Sequence, residues 1–135
     1  MVIAGAGISG IVAALELLES DLQVILLDRD EPHAIGGLAK ESFGAMFFVN
    51  SPQQRWTGIK DSAELALNDW LANAEFGTDD VWPKEWAEFY INNCTQLAYR
   101  WLRQQGVGFL PVVNWGERPS DENPGNSVPR FHIVW

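Results

Sequence analysis

Residues 5–10 read Gly5-Ala6-Gly7-Ile8-Ser9-Gly10, set between a short apolar run, Val2-Ile3-Ala4, and a helical pattern over 11–18. A second apolar run over 21–28 follows and ends on Asp28. The pattern predicts a strand, a glycine turn, a helix and a second strand closed by an acid. Each glycine has its own duty in such a unit. Gly5 permits the tight turn. Gly7 lets the backbone approach a pyrophosphate with no Cβ in the way. Gly10 lets the helix pack close to the strand, and Ala14 one turn later keeps that contact small. The free N–H groups at the helix start then face the anion. Asp28 stands where a carboxylate accepts hydrogen bonds from an adenosine ribose, which disfavours a 2′-phosphate there, although Arg29 would neutralise one.

Other readings of the N-terminus fail on the residues. A signal peptide needs a basic start, and this segment has none; three glycines interrupt it, and Glu16 and Glu19 follow at helical spacing. No run of about 18 charge-free apolar residues exists to make a membrane anchor. The next segment, 29–45, does not enter a crossover helix directly. It carries the adjacent pair Gly36-Gly37 about eight residues after the ribose acid, a second place for close backbone approach. That pair separates a long flavin dinucleotide from a nicotinamide one.

Together GAGISG, LLDRD, GGLAKESFGAMFFVNSP, IKDSAELALNDW and GNSVPRFHIVW resemble FAD-binding dehydrogenases of the fumarate reductase and 3-ketosteroid Δ1-dehydrogenase superfamily. The resemblance covers nearly the whole chain. It implies an α/β fold: the N-terminal part of a Rossmann-like FAD-binding domain with a parallel βαβ unit, followed by helices. It implies FAD as cofactor, held by Gly5, Ala6, Gly7, Ser9, Gly10, Asp28 and Arg29 at the ADP half. Gly36, Gly37, Ala39, Lys40, Ser42 and Gly44 would line the pyrophosphate, ribityl and flavin region. Hydride transfer to or from flavin N5, on a small-molecule substrate of steroid or enone type, is the implied chemistry. Two departures stand out: Asp28 where Glu is common, which lengthens the ribose contact, and Ala45 where a second glycine is common. His33 lies only three residues before Gly36, too close for the covalent flavin attachment of some relatives, and reads as a loop histidine.

At 135 residues the chain has the length of one ordinary domain. The superfamily builds its FAD domain from discontinuous segments around a substrate cap, and those later pieces are missing, so the expectation is an apparently truncated, partial FAD-binding domain. Within it, 1–45 form the βαβ unit and Gly-Gly loop, 46–113 a helical region, and 114–135 a loop and terminal strand. Such a piece alone is expected to be inactive. An NAD-binding dehydrogenase fragment and a non-catalytic truncated remnant are the alternative readings.

A net charge of −9 repels nucleic-acid phosphates and anionic lipids, and no basic stripe offsets it. The single cysteine, Cys94, fits a reducing cytoplasm and reads as a small packing residue. No Cys/His cluster suggests a metal.

In the helical region, Asp61 with Glu64 reads as a capping box for a helix burying Leu67, Trp70, Leu71 and Ala74 and ended by Gly77. A second helix starts near Pro83, buries Trp86, Tyr90, Leu97 and Trp101, takes Arg100 and Arg103 at its negative end, and stops at Gly106. A short strand is expected over 109–113, and a loop over 114–129. Trp82 reads as a helix staple, while Trp56, Trp115 and Trp135 follow no period and are candidates for a flavin or substrate face. His132 is either a substrate-facing residue or a satisfied strand histidine. No motif names a catalytic residue, and Tyr90 and Tyr99 match none.

Overall fold

The computed structural model describes residues 1–110 and 125–135, arranged as two units, Met1–Gly44 and Ala45–Trp135. The first unit is a β-α-β arrangement. Strand β1 (Val2–Ala4) pairs in parallel with β2 (Ile25–Leu27), Ile3 opposite Leu26, and helix α1 (Ile8–Glu19) makes the crossover. Parallel strands require such a crossover, which is why the 3.6-residue pattern sits between the two apolar runs. The expected second strand over 21–28 is shorter. Asp21 takes a left-handed backbone (φ 57°) to turn the chain after α1, so extension begins only at Ile25. Ile25, Leu26 and Leu27 are all exposed. Two single-turn 3-10 segments, Pro32–Ala34 and Gly37–Glu41, complete the unit.

The second unit pairs β3 (Ala45–Phe47) with β4 (Phe131–Ile133) in antiparallel register, Met46 opposite His132. Among the described residues its helices are α2 (Pro52–Trp56), α3 (Ala63–Ala74), α4 (Val81–Asn93) and α5 (Arg100–Gln104). Between α4 and α5 lies one π turn, Thr95–Tyr99, closed by Tyr99 N–H to Cys94 C=O at 2.9 Å. The core gathers Phe48, Val49, Ala66, Ile91, Cys94 and Tyr99. Phe48 is its centre, edge-on to Tyr99, Phe109 and His132.

Several helix details differ from expectation. Ser62, not Asp61, caps α3, accepting the Leu65 N–H at 3.1 Å, because Asp61 is engaged elsewhere. Helix α3 ends at Ala74 on a left-handed Glu75 (φ 50°), before Gly77. Its buried residues are Ala66 and Asp69; Leu67 and Trp70 pack at the core edge, and Leu71 is 42% exposed. The buried stripe of α4 is Ala87 and Ile91, leading on to Cys94. Trp82, Trp86 and Leu97 are exposed, so the staple does not form, and of the expected apolar stripe only Tyr90, packed against the core, and half-buried Trp101 turn inward. The extra residue in the π turn rotates every later side chain by about a quarter turn, which no single 3.6-residue count across 86–101 can anticipate. Trp56 and Trp135 are exposed at 80% and 83%. The expected strand over 109–113 begins with a bridge from Phe109 to Val134; its residues 111–113, most of the loop over 114–129, and Trp115 lie outside the described residues.

Candidate functional site

The glycines of the first unit's turn are of two kinds, those whose backbone or packing requires glycine and one whose does not. Gly5 needs its φ of +100°, a region that L side chains rarely adopt. Gly10 needs its missing Cβ, since one built there would lie 1.9 Å from the Gly5 carbonyl oxygen and 3.4 Å from Ile3. Gly7 needs neither. Its φ is −74°, and a Cβ there would meet nothing within 4 Å. It is also the N-cap of α1, and no side chain caps that helix. The first-turn N–H groups are therefore left for an outside acceptor.

Asp28 closes the turn from the other side. Its carboxylate accepts the Ala6 N–H at 2.5 Å and the Asp30 N–H at 2.9 Å. These two amides, Asp30 first, hold its pKa below the ordinary carboxylate value. Two backbone bonds leave an exposed carboxylate with acceptor capacity to spare. Arg29 beside it is exposed, 3.9 Å from Asp30.

The Gly-Gly pair returns to the same place. Gly36 bridges Gly7 in parallel, its N–H donating to the Ala6 carbonyl at 3.0 Å. Gly36 and Gly37 both take positive φ, 121° and 57°. A Cβ on Gly37 would sit 3.3 Å from the Gly7 Cα. Thus Gly5, Ala6, Gly7, Asp28, Gly36 and Gly37, distant in sequence, meet around one backbone-lined turn. The Lys40 stem lies over Gly36, where a Cβ would meet its Cγ at 2.8 Å, and its Nζ donates to the His33 carbonyl at 2.7 Å. Ser42 Oγ accepts the Gly44 N–H at 3.0 Å. Ser9 and Ala39 are exposed. His33 is exposed, 3.4 Å from Glu31.

The second unit holds a buried polar network that sequence reasoning missed. Arg130, fully buried, donates from Nε and Nη2 to the two oxygens of Asp61 at 2.9 and 2.8 Å. Its Nη1 reaches Asp69 at 2.6 Å and Asn126 at 2.9 Å. Burial alone would raise the Asp69 carboxyl, but hydrogen bonds from Ser127 and then Arg130 outweigh it, and the pKa is lowered. His132 belongs to the same layer. Its Nδ1 lies 2.6 Å from the Arg130 carbonyl, which can only accept, so Nδ1 carries the proton. Nε2 then accepts from the Ser51 hydroxyl at 2.6 Å, whose oxygen accepts the Gln54 N–H in a capping box for α2. Burial pushes His132 below its ordinary pKa. With both nitrogens used and no exposed surface, His132 is a satisfied strand histidine. A Ser-Pro-x-Gln run was the one signal in the sequence for this cap.

Two further titratable groups are likewise committed to the fold. Tyr90 donates to the Phe47 carbonyl at 2.8 Å, and burial pushes its pKa up to about 12. Cys94 is buried in the core, which raises its pKa and makes it inert.

A parallel β-α-β turn with an uncapped helix start, a terminal acid and a second glycine loop defines the class of dinucleotide-binding α/β proteins. Residues 1–132 match the FAD binding domain family, and the chain belongs to it. Its cofactor is FAD. Over its full length the chain is 49% identical to a KsdD-like steroid dehydrogenase of Mycolicibacterium smegmatis, and over 99% of it 47% identical to one of Mycobacterium tuberculosis. It covers 25% and 24% of those proteins, so it spans about a quarter of the length of the curated relatives it matches. Among solved structures it is similar to 3-ketosteroid-Δ4-(5α)-dehydrogenase of Rhodococcus jostii in complex with 4-androstene-3,17-dione (TM-score 0.76, 25% identity, 98% of this chain and 30% of that one). Among the described residues no helix is long and apolar enough to cross a membrane.

Proposed function

We propose that this chain is the cofactor-holding portion of a flavin-dependent oxidoreductase, a Rossmann-like unit that grips the ADP half of FAD. The observation that carries this reading is Gly7: a glycine that its own fold does not require, at the uncapped start of α1, facing open space. The residues fit the group. The α1 amides and the Gly7 backbone would take the pyrophosphate, the spare acceptors of Asp28 the ribose, and Gly36 and Gly37 would let the rest of the cofactor pass close to the main chain. Ser9 and Arg29 are exposed beside that turn and would add contacts at the ADP half; Ala39, Lys40, Ser42 and Gly44 would border the ribityl and flavin half.

Bound FAD supplies hydride transfer at flavin N5. The names of the relatives favour a steroid or related enone as the small-molecule substrate. The role of these residues is binding and orientation; His132 and Tyr90 are committed to the fold and hold no proton for a ligand. The test is retention of flavin. The purified protein titrated with FAD should shift and quench the flavin spectrum saturably, and flavin that stays spectrally free at every protein concentration rejects the reading.

A further inference from the structure

A cavity of about 270 Å³ opens in the second unit between the 49–52 turn and the joint of α4 with α5. Its floor is apolar: Val49, Ile91 and Tyr99. Its rim is polar and cationic, made of Asn50, Arg55, Asn92, Gln96 and Arg100. Among the described residues no Asp or Glu lines it, although acids outnumber bases 18 to 9 in the sequence.

The rim is held in place from both sides. Asn50 takes a left-handed backbone (φ 51°), which brings its carbonyl and its side-chain oxygen together onto Arg55 Nη1. That bond fixes one nitrogen of the guanidinium, and among the described residues Nη2 has no partner. On the opposite wall the π turn displaces Gln96 and Arg100 relative to a regular helix, and the Thr95 hydroxyl ties that turn to the Val49 carbonyl at 2.6 Å. Arg100 makes no ion pair among the described residues. Two guanidinium groups bordering one small cavity match the acceptors of an oxyanion, while the Asn92 amide donates to the Glu88 carbonyl and only borders the rim; π turns recur at functional sites.

We propose that this cavity binds a small oxyanion, a carboxylate or phosphate group, through Arg55 and Arg100, separately from the glycine turn. Calorimetric titration of the full chain with succinate and with inorganic phosphate, at low ionic strength, tests it. Saturable binding of at least one is expected, weakened about tenfold or more by Arg55→Gln and by Arg100→Gln. The tighter of the two names the group. Arg103→Gln, on α5 but outside the cavity, should change nothing, and Gly7→Val should leave the anion bound. The proposal falls if neither anion saturates, if Arg103→Gln weakens binding as much as Arg100→Gln, or if Gly7→Val abolishes it. The last result would place the anion at the nucleotide turn, so the two readings fail separately.

Discussion

Two glycines three positions apart respond oppositely to a side chain. At Gly7 a branched side chain enters open space with an ordinary φ, so Gly7→Val should leave the fold intact while weakening FAD about tenfold or more by filling the pyrophosphate cradle. At Gly10 even one methyl group collides with the Gly5 carbonyl. Gly10→Ala should therefore destabilise the turn by about 1–3 kcal/mol and lower affinity only as a consequence. Circular dichroism melts beside a flavin titration separate the two; equal melts for both variants would refute the distinction. The close packing at Gly10 was legible in the sequence, since the spacing sets that glycine against the first strand; the flavin titration decides the role of Gly7. The carboxylate of Asp28 was legible only by half. Its place at the end of β2 follows from the pattern, but its bond to the Ala6 amide joins residues 22 apart and depends on the parallel pairing.

At the scale of elements, the second unit hangs on one guanidinium. Arg130, just before β4, holds the approach to α3 through Asp61, the residue before its cap, and the middle of α3 through Asp69. Removing it leaves two carboxylates without their charge partner, and Arg130→Ala should cost about 3–5 kcal/mol in denaturant unfolding. Lysine is no substitute, because it cannot reproduce the forked bond to both oxygens of Asp61. Ser51 joins α2 to β4 in the same way. Ser51→Ala removes a helix cap and the donor to His132 Nε2, and should cost about 2 kcal/mol or more. A loss under about half a kcal/mol in either variant would show that the network contributes little. Helical periodicity pointed to Leu71, Trp86 and Leu97 as core. The fold instead buries the small and polar stripes, because Asp69 must face Arg130 and the π turn resets the phase before α5.

For the molecule as a whole, acid is the condition that finds these groups. His132 is held neutral, below its ordinary pKa of 6.5, so the unfolded chain binds that proton more readily than the folded one. Its contribution is complete above pH 6.5 and is lost as pH falls below it. Asp69 is lowered from 3.8, so its contribution is present above that value and is lost on further acidification through the folded pKa. Stability should thus fall in two steps as pH drops, and His132→Asn should remove the first step while keeping the second. Denaturant midpoints measured from pH 8 to pH 3 would show this; a flat profile between pH 7 and pH 5 in the parent protein contradicts it.

Local rules carried the sequence as far as local physics reaches. The glycine turn, the crossover helix, the terminal acid and the second glycine loop each follow from neighbours a few residues away, so a dinucleotide-binding unit was readable from 1–45, and the family resemblance from motifs along nearly the whole chain. The choice of which helix faces to bury, and the conversion of His132 from a candidate at a substrate face into a strut beneath Ser51, were not. They hinge on Asp61, Asp69 and Arg130 meeting across 61 to 69 positions of chain. Desolvating three charges is tolerable only when all three arrive together, and that condition exists only in the folded molecule.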